Sequence, residues 1–187
     1  ISMLPQLEVA RDNGNDVLYF VDPVDEFVAR MLEDYDGHKF ENIASGSEEV
    51  KTEKKEHKDL LKRIEEKLKG KATVTATDKL KSYPVCLAAK GDVSLEMERI
   101  MQAMGGGVKA ERVLQVNMEH PIILGMEKLT DGAFDDTVTV LYNEALIAEG
   151  YKTEPEFLAA INRLLAGEQK PAAKKPATKK TAKQDEE

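Results

Sequence analysis

Tryptophan is absent from this chain of 187 residues, and aromatic residues make up only 5%. A core has to be assembled from Leu, Ile, Val, Met and Ala, for which a hydrophobic content of 41% suffices. A single cysteine, Cys86, excludes an intrachain disulfide framework and fits a reducing, cytoplasmic setting. No apolar run approaches the roughly 18–20 residues of a membrane-spanning helix, and the first residues do not read as a secretory leader. No membrane partner is expected. Positive charge is in deficit, with 27 Lys plus Arg against 35 Asp plus Glu and a net charge of −8. That balance speaks against the chain as a whole as a nucleic-acid binder. The opening Ile1-Ser2-Met3 reads as the start of a piece of a longer protein, so the activity of a whole protein is not expected from it.

Residues arranged for catalysis are equally scarce. His38, His57 and His120 fall in different elements without ligand spacing, which suits solvated or capping histidines better than a metal site. Cys86 sits between Val85 and Leu87 in a strand-like run, as a buried structural thiol would. Gly105-Gly106-Gly107 follows a helix and lacks the Gly-Lys-Ser/Thr ending of a phosphate loop, so it reads as a hinge. No catalytic, cofactor-binding or metal-binding residue is assigned.

What is present is a succession of small α/β elements. Residues 1–45 read as helix (Leu4 to Ala10), buried strand (Val17–Val21), helix (from Asp22, carrying Val24, Phe27, Val28, Met31 and Leu32) and strand (Lys39 to Ile43). Asp22 is the expected N-cap and Pro23 the first helical residue. Residues 46–68 read as a linker and a charged connecting helix that turns apolar only at Leu60, Leu61, Ile64 and Leu68. Residues 69–168 read as a second unit. Strands are expected at Ala72 to Thr77, Val85 to Ala89 and Arg112 to Val116, and helices from Ser94, from Glu119 to Leu129, and from Asp136 to Glu149. A last helix follows a Thr153-x-x-Glu156 capping box. The fold class is therefore α/β (α+β), with a small mixed three-stranded sheet covered by helices and a closing helical hairpin. Residues 169–187 form a Lys/Pro/Ala-rich tail with six lysines against three acids, a composition that cannot build a core.

Two features invite a partner. Val138, Leu141, Tyr142, Ala145 and Leu146 make a full apolar stripe, joined by Phe157, Leu158, Ile161, Leu164 and Leu165 on the next helix. Two such hairpins can pair across a two-fold axis as a four-helix bundle, or the stripe can be buried within one chain; the sequence leaves both open. Met97, Ile100, Met101 and Met104 share a helix face beside the triple glycine, which suits adaptable contacts with unfolded chains or plain core packing. The lysine tail offers a third reading, weak salt-sensitive binding of nucleic acid or acidic lipid. Without interleaved aromatics, a solubilising end is favoured over it.

Four segments, in this order, carry a resemblance. They are Val17-Leu18-Tyr19-Phe20-Val21-Asp22-Pro23-Val24-Asp25-Glu26-Phe27 with Asp36-Gly37; Met97-Glu98-Arg99-Ile100-Met101; Asn117-x-x-His120-Pro121-Ile122-Ile123; and Leu141-Tyr142-Asn143-Glu144-Ala145-Leu146. The chain resembles the heat shock protein 90 chaperones of the bacterial HtpG type, from about Leu4 to Ala166. The resemblance implies the end of a middle domain (1–45) followed by a C-terminal dimerisation domain (69–168). ATP and Mg would then be bound by parts of the protein outside this chain. It further implies a homodimer in which the last two helices form the intersubunit bundle, and a client-contacting helix carrying Met97, Ile100, Met101 and Met104. Two departures are local, Ser94-Leu95-Glu96 where Ser-Ala-Asn is usual and Asn117-Met118 where Asn-Pro is usual; separately, the sequence closes on Gln184-Asp185-Glu186-Glu187 rather than the Met-Glu-Glu-Val-Asp motif of the eukaryotic cytosolic forms. Docking of tetratricopeptide co-chaperones through that last motif is therefore not expected.

Overall fold

The computed structural model describes residues 4–22, 24–44 and 55–167. The expected start of the connecting helix, the Pro23 position and the lysine-rich tail lie outside the described residues. The first segment contains α1 (Leu7–Asp12), α2 (Asp25–Leu32) and a hairpin of β1 (Asp34–Tyr35) and β2 (His38–Lys39). Asp36 and Gly37 both adopt positive φ, 51° and 79°, which is the geometry a two-residue hairpin turn requires and an Asp-Gly pair supplies.

Three local expectations fail in this segment. Val17–Val21 joins no strand among the described residues, and Leu18, Phe20 and Val21 are exposed. An apolar run of this kind specifies a buried strand only when a sheet is there to receive it. Asp22 does not cap α2; Asp25 instead accepts the N–H groups of Val21 and Asp22, each at 3.0 Å. The strand expected at Lys39 to Ile43 is replaced by the short β1–β2 hairpin.

The second unit is a mixed α/β arrangement. After α3 (Lys55–Leu68) come β3 (Thr73–Ala76), β4 (Val85–Lys90), α4 (Leu95–Ala103) and β5 (Glu111–Val116). The sheet order is β3-β5-β4, with β3 parallel and β4 antiparallel to β5. Next come α5 (Pro121–Met126), α6 (Asp131–Ala148) and α7 (Phe157–Leu165). His120 caps α5, its Nδ1 accepting from Ile122 N at 3.2 Å, and Pro121 opens the helix. α6 begins at Asp131 rather than Asp136. The expected capping box ahead of α7 does not form; the Asn143 side chain instead accepts from Glu154 N at 2.6 Å.

α6 packs on β4, α3 packs on β3, and the two helices meet above the sheet. Ile64, Leu87, Leu114, Ile123, Met126, Phe134 and Tyr142 fill the space between them. Lys67 pairs with Asp135 at 2.8 Å, and the Arg63 guanidinium lies 3.7 Å from the centroid of the Phe134 ring, fixing α3 along α6. α7 folds back on the outside of α6.

The first segment attaches at the free edge of β4. Gln6 Nε2 donates to Leu87 O at 3.0 Å, and Ala89 N donates to Ala44 O at 3.1 Å. The Glu8 carboxylate accepts the N–H groups of Lys81 and Ser82, and Asp12 pairs with the Lys81 ammonium. No helix among the described residues is long and apolar enough to cross a membrane.

Candidate functional site

α4 is built to hold one face in and leave the other out. Ser94 accepts from Met97 N at 2.9 Å and caps the helix. At the other end Gly105, with φ 80°, donates its N–H to Gln102 O, and Gly106 N reaches Met101 O at 2.7 Å. This paired closure is a Schellman motif, and a Cβ on Gly106 would stand 3.0 Å from Met101 O. The triple glycine therefore terminates a helix.

The inner face of α4 carries Leu95 and Glu98, the latter only 1% exposed. A carboxylate buried so deeply has to be paired. Arg112 Nη2 lies 3.1 and 3.2 Å from the two Glu98 oxygens, and Gln102 Nε2 donates to Oε1 at 3.1 Å. The Tyr151 hydroxyl stands 2.9 Å from both Glu98 Oε2 and Leu95 O, and its ring lies under the Arg112 guanidinium. Burial, then the bond to Glu98, pushes the Tyr151 hydroxyl well above the ordinary tyrosine value. Sequence reading missed this anchor because Glu98, Arg112 and Tyr151 lie on three separate elements.

The outer face is the one expected to meet clients. Met97, Ile100 and Met101 are half-buried and Met104 is 78% exposed, so none of the four belongs to the buried core. Their spacing puts them together on the side of α4 away from Leu95 and Glu98.

The hairpin divides differently from the expectation. Val138, Leu141, Tyr142, Ala145 and Leu146, expected at an interface between subunits, are buried within this chain against the sheet and α3. The α7 residues split: Phe157, Ile161 and Leu164 are half-buried, whereas Leu158 and Leu165 are 69% and 83% exposed. Leu158 and Leu165 are seven residues apart, so they share one face of α7. Half-buried Val140 and exposed Ile147 make a second i, i+7 pair on the outer side of α6 that sequence reading passed over. Its signal was present, hidden by the stronger inward stripe. Beside it lies an apolar cleft of about 270 Å³ lined by Tyr83, Val140, Glu144, Ile147 and Phe157. Burial raises the Glu144 carboxyl above its ordinary range, and the nearby His120 opposes that shift.

Cys86 is fully buried and its thiol is pushed far up by burial. Among the described residues no three His, Cys, Asp or Glu side chains are grouped to hold a metal ion. The triple glycine closes α4 and does not form a phosphate-binding loop.

A family model described as "Hsp90 protein" matches residues 1–187. The "Chaperone protein HtpG" of Clostridium perfringens is 39% identical over 166 residues, covering 82% of this chain and 27% of the relative. Those of Shouchella clausii and Clostridium acetobutylicum are each 38% identical, over 168 and 171 residues, with the same coverage. The chain thus spans about a quarter of the length of these relatives. With a family model running through both the β4-edge segment and the closing hairpin, and relatives matching four-fifths of its length, the chain belongs to the Hsp90 family of chaperone proteins.

Proposed function

We propose that this chain is the C-terminal part of an ATP-dependent molecular chaperone of the cytoplasm, and that it contributes dimerisation and a client-contacting surface. ATP and Mg are bound and used by the rest of the protein, and the role of this part is mechanical. The observation that carries the reading is the outward face of α7. Leu158 and Leu165 stand exposed on a helix whose other side is already committed to α6. Together with Val140 and Ile147 on the outer side of α6, they are apolar surface that a second hairpin would cover as a four-helix bundle. A specific interface of that kind buries roughly 1,200–2,000 Å². Joining two subunits at this end gives the distant ATPase domains a high effective concentration toward each other.

The client surface in this reading is the face of Met97, Ile100, Met101 and Met104. Thioether side chains adapt their shape cheaply and suit unrelated unfolded segments.

Light scattering on a sizing column, across concentrations, tests the dimer. A mass of about 42 kDa at micromolar concentration, twice the 20.8 kDa of one chain, is expected. A persistent single-chain mass removes the proposal and leaves family membership standing. For the client surface, Met97→Ser combined with Met101→Ser should weaken binding of an unfolded model protein without altering the thermal transition. Loss of that transition would make these methionines structural.

A further inference from the structure

α4 is attached to the first segment by a closed ring of polar contacts. The Ser94 hydroxyl, which caps α4 by accepting from Met97 N, donates its own proton to Glu26 Oε1 of α2 at 2.5 Å. The same oxygen accepts from Arg30 Nε and Nη2 at 3.1 and 2.9 Å. Arg30 Nη1 then reaches Asp92 O at 2.9 Å, two residues before the cap. The Glu26 side chain is only 13% exposed, and its second oxygen, Oε2, is buried without a hydrogen-bond partner among the described residues. A carboxylate held at that cost is held for what Oε1 does.

We infer that Glu26 is a positioning residue for α4, acting through the hydroxyl of Ser94. A serine hydroxyl left to itself rotates, and its lone pairs face the helix only part of the time. Once its proton is given to a carboxylate, a lone pair is aimed at Met97 N and the oxygen becomes a stronger acceptor. The carboxylate also places negative charge at the positive end of the helix. A second connection supports the same coupling farther along α4. Arg99 Nη1 donates to Glu149 O at 2.9 Å, and the Glu149 carboxylate accepts from Gln6 of the first segment at 3.2 Å. Gly150 leaves room for this: a Cβ there would stand 2.8 Å from Arg99 Nη1. Residues 4–44 thus hold α4 at its cap and at its middle, and set where the methionine face points.

The helix so positioned is the one on which the client reading rests, but the test reads the helix itself, so the two stand or fall separately. Amide hydrogen exchange is followed in the full chain at Met97, with Leu114 at the centre of the sheet as the control for global opening. Glu26→Ala should speed exchange at Met97 by roughly fivefold to tenfold and leave Leu114 unchanged. Ser94→Ala should do the same, and the double variant should be no faster than either single one. Glu26→Gln retains an oxygen that accepts from Ser94 but loses the charge, and should recover part of the slow exchange. Ser94→Ala also serves if Glu26→Ala loosens Leu114, because it removes the hydroxyl and leaves the Glu26–Arg30 pair in place. Unchanged exchange at Met97 in Glu26→Ala, multiplied effects in the double variant, or failure of Glu26→Gln to rescue would each overturn the assignment.

Discussion

Arg163 of α7 grips Asp136 of α6 through two parallel hydrogen bonds, Nε to Oδ2 and Nη2 to Oδ1, each 2.7 Å long. Asp136 is 2% exposed, so this fork is what ties the outer helix of the hairpin to the inner one. Replacing Arg163 with Leu leaves a buried carboxylate without its charge partner, and urea unfolding should show a loss of about 3 kcal/mol. Adding Asp136→Leu should return much of that stability, because a hydrophobic pair of similar volume needs no desolvation of charge.

The division of the hairpin into inward and outward residues separates two kinds of variant. Leu158→Glu with Leu165→Glu should turn the expected dimer into a monomer by light scattering, with the unfolding midpoint unchanged. Leu141→Glu should behave differently, because Leu141 lies in the core of a single chain. An unpaired charge there costs several kcal/mol, so the fold itself should be lost and circular dichroism should report it.

Cys86 offers a probe of opening. Its side chain is fully buried, its Sγ lies 3.4 Å from Gln115 Oε1, and burial holds the thiol protonated far beyond its ordinary range. A thiol reagent at pH 8 should leave the native chain unlabelled for hours and titrate one thiol per chain in denaturing urea. Rapid native labelling would mean that β4 opens readily.

Glu149 gives stability a definite slope with pH. Burial, the largest influence, raises its carboxyl above the ordinary range, and the bond from Gln6 and the charge of Arg99 pull it back less strongly. The folded chain therefore holds this proton more tightly than the unfolded chain does. The stability from that proton is present below the unfolded value and is lost as pH rises through the raised folded value. Glu149→Gln should raise the melting temperature at pH 7 to 8, and the advantage should shrink toward pH 4.

Short-range chemistry was the part of this fold legible in the sequence. The Ser94 cap and the glycines that follow α4 and α6 depend on neighbours within one helical turn and are where the pattern put them, whereas α5 starts at Pro121 behind a His120 cap, two residues later than the expected Glu119. The mixed three-stranded sheet was legible for a similar reason, from β-branched and apolar runs separated by turns. The signals that failed depended on distant residues. Val17–Val21 has the composition of a strand but meets no sheet among the described residues. The Thr153-x-x-Glu156 box lost to Asn143, which claims the Glu154 N–H from another helix. Periodicity showed that α6 has an apolar stripe, yet it could not say whether the stripe faced the chain's own sheet or a second copy. The Glu98–Arg112–Tyr151 anchor and the Glu26–Ser94 contact span 14 to 68 positions and leave no trace in any local window.

The contacts of Gln6 and Ala44 with β4 have a consequence beyond attachment. β4 is a six-residue edge strand, VCLAAK, with its only charge at the last position. Such an edge is a template for strand addition, and nothing in its own sequence blunts it before Lys90. Residues 4–44 supply the missing protection by occupying Leu87 O and Ala89 N. Lifting this segment away would uncover the β4 edge and leave it open to pairing with another strand.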